Sequence, residues 1–126
     1  MTENTRTAAQ QRGDRAENLA CDYLRQQNLS LIERNFRCRY GEIDLIMRDG
    51  SYTVFIEVRA RSKSTFADAA ESIDARKQRK IIAASQAYLQ KNPSARHGPV
   101  RIDVVTLDST AANTRVQWLK DAIQAN

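Results

Sequence analysis

The sequence predicts an α/β fold whose elements follow the order α-β-β-β-α-β, with an extra strand at the C-terminus. Two apolar stripes at helical spacing carry that prediction: Ala16, Leu19, Ala20, Tyr23 and Leu24 form one, and Ile81, Ala84 and Tyr88 form the other. Between them lies a stretch rich in Ile, Leu, Val and Phe, Tyr40 to Arg61, which reads as two strands joined at Asp49-Gly50. Beyond the second stripe, V-R-I-D-V-V-T-L (Val100 to Leu107) reads as one more buried strand.

In chain order, residues 1–8 read as a polar tail and a helix as running from about Asp14 to Gln27. Asn28 is its stop, because Asn tolerates the left-handed conformation. Leu29 to Phe36 is a first strand and Arg37 to Gly41 a turn. The second strand, Glu42 to Arg48, alternates Glu42, Asp44 and Ile46 against Ile43, Leu45 and Met47. The third, Tyr52 to Ala60, puts Thr53, Phe55, Glu57 and Arg59 on one face. Residues 61 to 72 read as a loop with a short helical turn near Phe66 to Glu71. Asp74 is the expected N-cap of the second helix, and Asn92-Pro93 its end. A loop over 108–113 leads to a last strand, Thr114 to Leu119.

The 126 residues suit one domain, 1–126, with a single core. The hydrophobic fraction of 41% and charged fraction of 28% suit a globular chain. No apolar run approaches the ~20 residues of a membrane span, and the first residues lack a signal-peptide core. Cys21 and Cys38 have no metal-type spacing and read as reduced thiols of a cytoplasmic protein. The net charge is +5 and the pI near 9.6. Basic residues cluster at Arg59, Arg61 and Lys63, and again at Arg76, Lys77, Arg79 and Lys80. Such stripes either contact a polyanion, most often nucleic acid, or form a solvated face.

Acids inside apolar strands need a partner, a metal or a job. Asp44, Glu57 and Asp103 are such acids, with Glu42 beside them. Counting back from a turn at Asp49-Gly50 pairs Arg48 with Ser51 and Asp44 with Phe55. Glu57 then faces Glu42, with Asp44 on the diagonal, still within reach of one ion. Converging carboxylates repel, and a divalent cation relieves the repulsion; oxygen ligands without His or Cys suit Mg²⁺ or Mn²⁺. Such an ion activates a water for attack on a phosphodiester, and Arg59 on the same face adds positive charge. The competing reading is a structural network, Glu57 with Arg59 and Asp103 with Arg101. His97, the lone histidine, sits in a loop and excludes chemistry needing two. Lys77, in line with the core-facing ridge of the second helix, either snorkels or faces the acids.

Five segments resemble the YraN family: R-G-D-R-A-E-N-L-A-C-D-Y-L, R-N-F-R-C-R-Y-G-E-I-D-L-I-M-R-D-G, F-I-E-V-R-A-R, A-E-S-I-D-A-R-K-Q-R-K and R-I-D-V-V. That family is similar to PD-(D/E)xK nucleases and archaeal Holliday-junction resolvases. The resemblance, over about residues 12 to 107, implies a restriction-endonuclease-like core, a mixed β-sheet flanked by helices. It implies a nuclease-like protein acting on DNA, branched DNA included, or a binding protein that kept the fold without catalysis. By position, Asp44 and Glu57 would bind the metal, with the Val58 carbonyl as an extra ligand. Glu17 matches a first-helix glutamate near the metal, and Glu42 belongs to the G-E-I-D motif. Lys77 matches the lysine at the start of the second helix. Arg61, Lys63, Arg76, Arg79 and Lys80 would contact nucleic acid. Resolvase-like relatives suggest a homodimer. One departure stands out: the motif lysine is Arg59, which stays protonated and cannot act as a base.

Overall fold

The computed structural model describes residues 7–61, 73–109 and 113–125. Helix α1 (Ala8–Gln26) is followed by strands β1 (Ser30–Cys38), β2 (Gly41–Asp49) and β3 (Tyr52–Arg61). Helix α2 (Ala75–Lys91), a short α3 (Pro93–Arg96), and strands β4 (Val100–Ser109) and β5 (Thr114–Ile123) complete the chain. The strands form one sheet in sequence order, β1-β2-β3-β4-β5, antiparallel except where β3 runs parallel to β4. This is the mixed sheet flanked by helices that the sequence predicts, in the predicted order. No helix among the described residues is long and apolar enough to cross a membrane.

Two apolar layers hold the sheet. Ala16, Ala20, Cys21 and Leu24 of α1 pack on Leu45, Met47, Val54, Ile56, Val105 and Leu107. On the other face Ile81, Ala84 and Tyr88 of α2 pack on Phe36, Ile46, Phe55, Ile102 and Val104. Successive strand residues face opposite sides, so β3 sends Val54 and Ile56 to α1 and Phe55 to α2. Tyr88 meets Phe36 and Phe55 edge-on, at centroid distances of 5.3 and 5.6 Å.

Several boundaries differ from the sequence reading. Helix α1 starts at Ala8, six residues early, because Thr7 and Gln10 form a reciprocal capping box that a polar first turn conceals. Asn28 does end it, at φ 72°; the Asn28 N–H donates to the Arg25 carbonyl and the Leu29 N–H to the Leu24 carbonyl. Asp74 caps α2, accepting from the Lys77 N–H at 2.8 Å. The link after Asn92 contains α3, and β5 continues to Ile123. The expected tail falls largely, and the expected helical turn near Phe66 to Glu71 wholly, outside the described residues.

The hairpin register also needs correction. Asp49 pairs with Tyr52, and Gly50-Ser51 is the two-residue loop. Only Gly50 has positive φ, 60°, the pattern of a type II′ turn rather than the type I′ that Asp-Gly favours. Every pairing therefore moves by two residues: Ile46 faces Phe55 and Leu45 faces Ile56. There the β2–β3 ladder ends. The next facing pair would be Asp44 and Glu57.

Candidate metal and nucleic-acid site

Asp44 sits where the β2–β3 ladder ends and the alternation of β2 breaks, Ile43 joining Ile46 on the α2 side while Leu45 and Met47 face α1. The β1–β2 register passes from Arg34↔Leu45 to Phe36↔Ile43, and the residue between, Asn35, has φ 53°. On the other side the ladder to β3 has just ended. The Val58 N–H lies beyond that ladder, and the Asp44 carboxylate takes its place: Val58 N donates to Asp44 Oδ2 at 2.8 Å. A strand residue turns its N–H and C=O to the same neighbour, so the Val58 carbonyl faces this opening too.

Glu57 lies on the same face as Phe55, toward α2, and is buried. Its carboxyl hydrogen-bonds that of Asp44. Burial first, and the Asp44 charge second, push its pKa up to about 8, against the pull of Lys77 and Arg59. Asp44 is also shifted upward, by burial above all, while the Val58 N–H and the Glu57 bond hold it down. Burial and the Asp44 charge thus favour the protonated form of Glu57.

Two cations meet this pair. Lys77 Nζ lies 3.7 Å and Arg59 Nε 3.6 Å from Glu57 Oε2. The Asp74 cap sets the phase of the first turn of α2, and that phase aims Lys77 at the acids rather than at solvent. Arg59 Nε is buried and without a hydrogen-bond partner. From α1, Glu17 senses the Asp44 charge; burial chiefly, then Asp44, raise its pKa, while Arg34 and a hydrogen bond from Asn35 oppose the rise. Arg34 Nη2 is 3.6 Å from Glu17 Oε1, which is buried without a hydrogen bond.

The structure thus brings together Asp44, Glu57, Lys77 and Arg59, with Val58 bound to Asp44 and Glu17 close enough to feel it. Glu42 is engaged elsewhere: half-exposed, it pairs with Arg37 at 3.2 Å and reaches Asp44 only as a repelling charge. Arg76, Arg79 and Lys80 are exposed on α2. Lys63 lies outside the described residues, as does the side chain of Arg61. Among the described residues no group of three His, Cys, Asp or Glu side chains is gathered to hold a metal ion. What fits a hard cation is the donor chemistry: two carboxylates sharing one proton, an orphaned oxygen on Glu17, and no nitrogen or sulfur ligand.

Three participants escaped the sequence reading. Arg34 and Asn35 hold Glu17, and nothing in their type announces that. Thr106, facing Arg59 across β4, is fully buried with an unpartnered hydroxyl. A polar residue inside V-V-T-L is the same signal that exposed the acids. The other buried acid is structural. Asp103 accepts from Arg101 Nε at 3.1 Å, Trp118 Nε1 at 2.9 Å and the Asp121 N–H at 2.8 Å, while Arg101 also reaches Asp49 at 2.7 Å.

Residues 16–107 match the model of a family described as "Uncharacterised protein family UPF0102". The chain is 49% identical over 113 residues to a UPF0102 protein of Nitrosococcus oceani, covering 90% of this chain and 91% of that one. It is 48% identical over 120 residues to a UPF0102 protein of Janthinobacterium sp. (strain Marseille), covering 95% and 93%. Among solved structures, Pyrococcus furiosus SfsA in complex with Ca²⁺ is similar at a TM-score of 0.40 and 13% identity. That alignment covers 89% of this chain and 63% of SfsA, too loose a likeness to carry an argument.

Proposed function

The chain belongs to the UPF0102 family, and from that premise we propose that it is a metal-dependent nuclease-like protein that binds and hydrolyses DNA phosphodiesters, with branched DNA a candidate substrate. One observation carries the reading: Asp44 and Glu57 converge in a buried opening of the sheet, sharing a proton, with Lys77 and Arg59 both against Glu57. A structural ion pair needs one acid and one base; here two buried acids converge, and both cations lie against Glu57, which leaves Asp44 free to ligate a cation. Asp44 and Glu57 would hold Mg²⁺ or Mn²⁺, with Glu17 and the Val58 carbonyl as the nearest further oxygens. Such an ion, when bound, orients and acidifies a water and offsets charge on a phosphoryl oxygen.

The remaining roles belong to the chain itself. Lys77 and Arg59 supply positive charge where a phosphate would sit. Lys77 has the lone exchangeable ammonium at the pair, so it alone of these cations could also relay a proton. Arg76, Arg79 and Lys80 continue the positive surface along α2.

The experiment is incubation with linear, plasmid and four-way-junction DNA plus Mg²⁺ or Mn²⁺, beside Asp44→Ala. Cleavage by the native chain and none by the variant is expected; equal cleavage by both would mean contamination. A second reading, a catalytically inactive binding protein on a nuclease-like fold, is favoured by Arg59 in the lysine position. DNA binding without cleavage would select it. For binding itself, replacing Arg76, Arg79 and Lys80 together by Ala should shrink the slope of log K against log salt by up to about 2.7, at ~0.9 per phosphate contact. Titrations across a salt series measure that slope, and an unaltered value would remove these three residues from the contact surface.

A further inference from the structure

At the β1–β2 turn, four residues before Asp44, an aromatic ring is displayed to solvent. Tyr40 is 47% exposed and packs in neither apolar core. Its ring is nonetheless held. Arg39 Nη2 donates to the Tyr40 hydroxyl at 2.8 Å, and the Arg39 guanidinium lies 4.8 Å from the ring centroid. The turn itself is seated on α2. A β-carbon added at Gly41 would come within 3.3 Å of both the β-carbon and the carbonyl oxygen of Lys80, so any side chain there would push the turn off the helix by a few tenths of an ångström. Lys80 follows Lys77 by three residues, about one helical turn. The Tyr40-Gly41 turn therefore lies against α2 at Lys80, and Arg79 and Lys80 are exposed there.

We propose that Tyr40 is a stacking platform for an unpaired base, on a nucleic-acid strand whose phosphates run along Arg39, Lys80 and Arg79 toward the Asp44–Glu57 pair. The platform presupposes the nucleic-acid reading of the site. A planar ring exposed among cations suits a polyanion that also carries aromatic faces, and every base has one. The Arg39 contacts fix the ring before binding, which lowers the ordering cost of stacking. Three residues lie between Tyr40 and Asp44, so four steps of ~3.3 Å separate them by about 13 Å along the chain. A fully paired duplex hides its base faces and would use the cations alone.

The test is binding of the full chain, in chelator, to two labelled DNAs of equal length, one fully paired and one with an internal run of unpaired nucleotides. Tyr40→Ala should weaken binding to the second by about five- to a hundredfold and leave the first unchanged. Tyr40→Phe keeps the ring and the Arg39 contact to its face, and should recover most of the binding that Tyr40→Ala loses, falling short only by what the Arg39–hydroxyl bond adds in holding the ring. Equal losses on both DNAs, or no loss on the unpaired one, would overturn the platform while leaving the nucleic-acid reading intact. If the native chain bound neither DNA, the nucleic-acid reading would fall, and the platform with it.

Discussion

Raising the pH from about 5 to about 8.5 is expected to destabilise the protein, and Glu57→Gln is expected to remove most of that loss. The carboxyl of Glu57 titrates near 4.5 in an unfolded chain and at about 8 in the folded one. Between those values the folded state binds the extra proton, so stability falls as pH rises. The contribution is complete below 4.5 and exhausted above about 8. Each tenfold difference in proton affinity is worth at most ~1.4 kcal/mol, so the loss is on the order of a few kcal/mol. Glutamine copies the neutral, hydrogen-bonding carboxyl and has no proton to lose. Melting curves at several pH values measure both proteins; identical slopes would remove Glu57 as the cause. The same linkage couples proton and cation. If the pair takes Mg²⁺ as proposed, the ion would compete with the Glu57 proton, and its stabilising effect should be larger at pH 8.5 than at pH 6 in the native chain and weak in Glu57→Gln.

The second large effect lies away from the acids. Asp103→Ala should cost about 3–5 kcal/mol, read from urea denaturation. Asp103 is 0% exposed, and its removal strands the Trp118 indole N–H and the Asp121 amide while weakening the hold on Arg101. The amide matters most, because Asp121 has φ 54° at the irregular end of the β4–β5 pairing, and Asp103 secures it there. A cost below about 1 kcal/mol would mean that water replaces these bonds.

The contrast between the two sites explains what the sequence could reveal. Asp44 and Glu57 stood out because each interrupts an apolar alternation, and that signal is local. The face of Glu57 was also legible, although its pairing was not, and the alternation read into β2 fails at Asp44, where Ile43 joins Ile46 on the α2 side while Leu45 and Met47 face α1. A slip of one residue would have turned every side chain over, but the slip here is of two, which preserves faces and changes neighbours. Choosing between Asp49-Gly50 and Gly50-Ser51 loops depends on φ at one serine, which composition leaves open. Lys77 was legible through helix phase, since Asp74 sets the start of α2. The hold of Asn35 on Glu17 was hidden because it depends on a backbone turn inside a strand. So was the role of Trp118 toward Asp103, which needs the β4–β5 irregularity to bring distant residues together. The start of α1 was missed because a capping box leaves no hydrophobic trace.

The bond from the Val58 amide to Asp44 has an evolutionary consequence. Asp44 closes a gap in the backbone bonding of the sheet, whereas Glu57 strains it with a buried carboxyl and a displaced pKa. The two acids therefore answer to different selection. If the site is catalytic as proposed, a descendant relieved of that chemistry would tolerate a neutral hydrogen-bonding side chain in place of Glu57, yet would still need an acceptor at Asp44. Loss of the glutamate alone, with the aspartate kept, is the expected signature of a lineage that has become a binding protein.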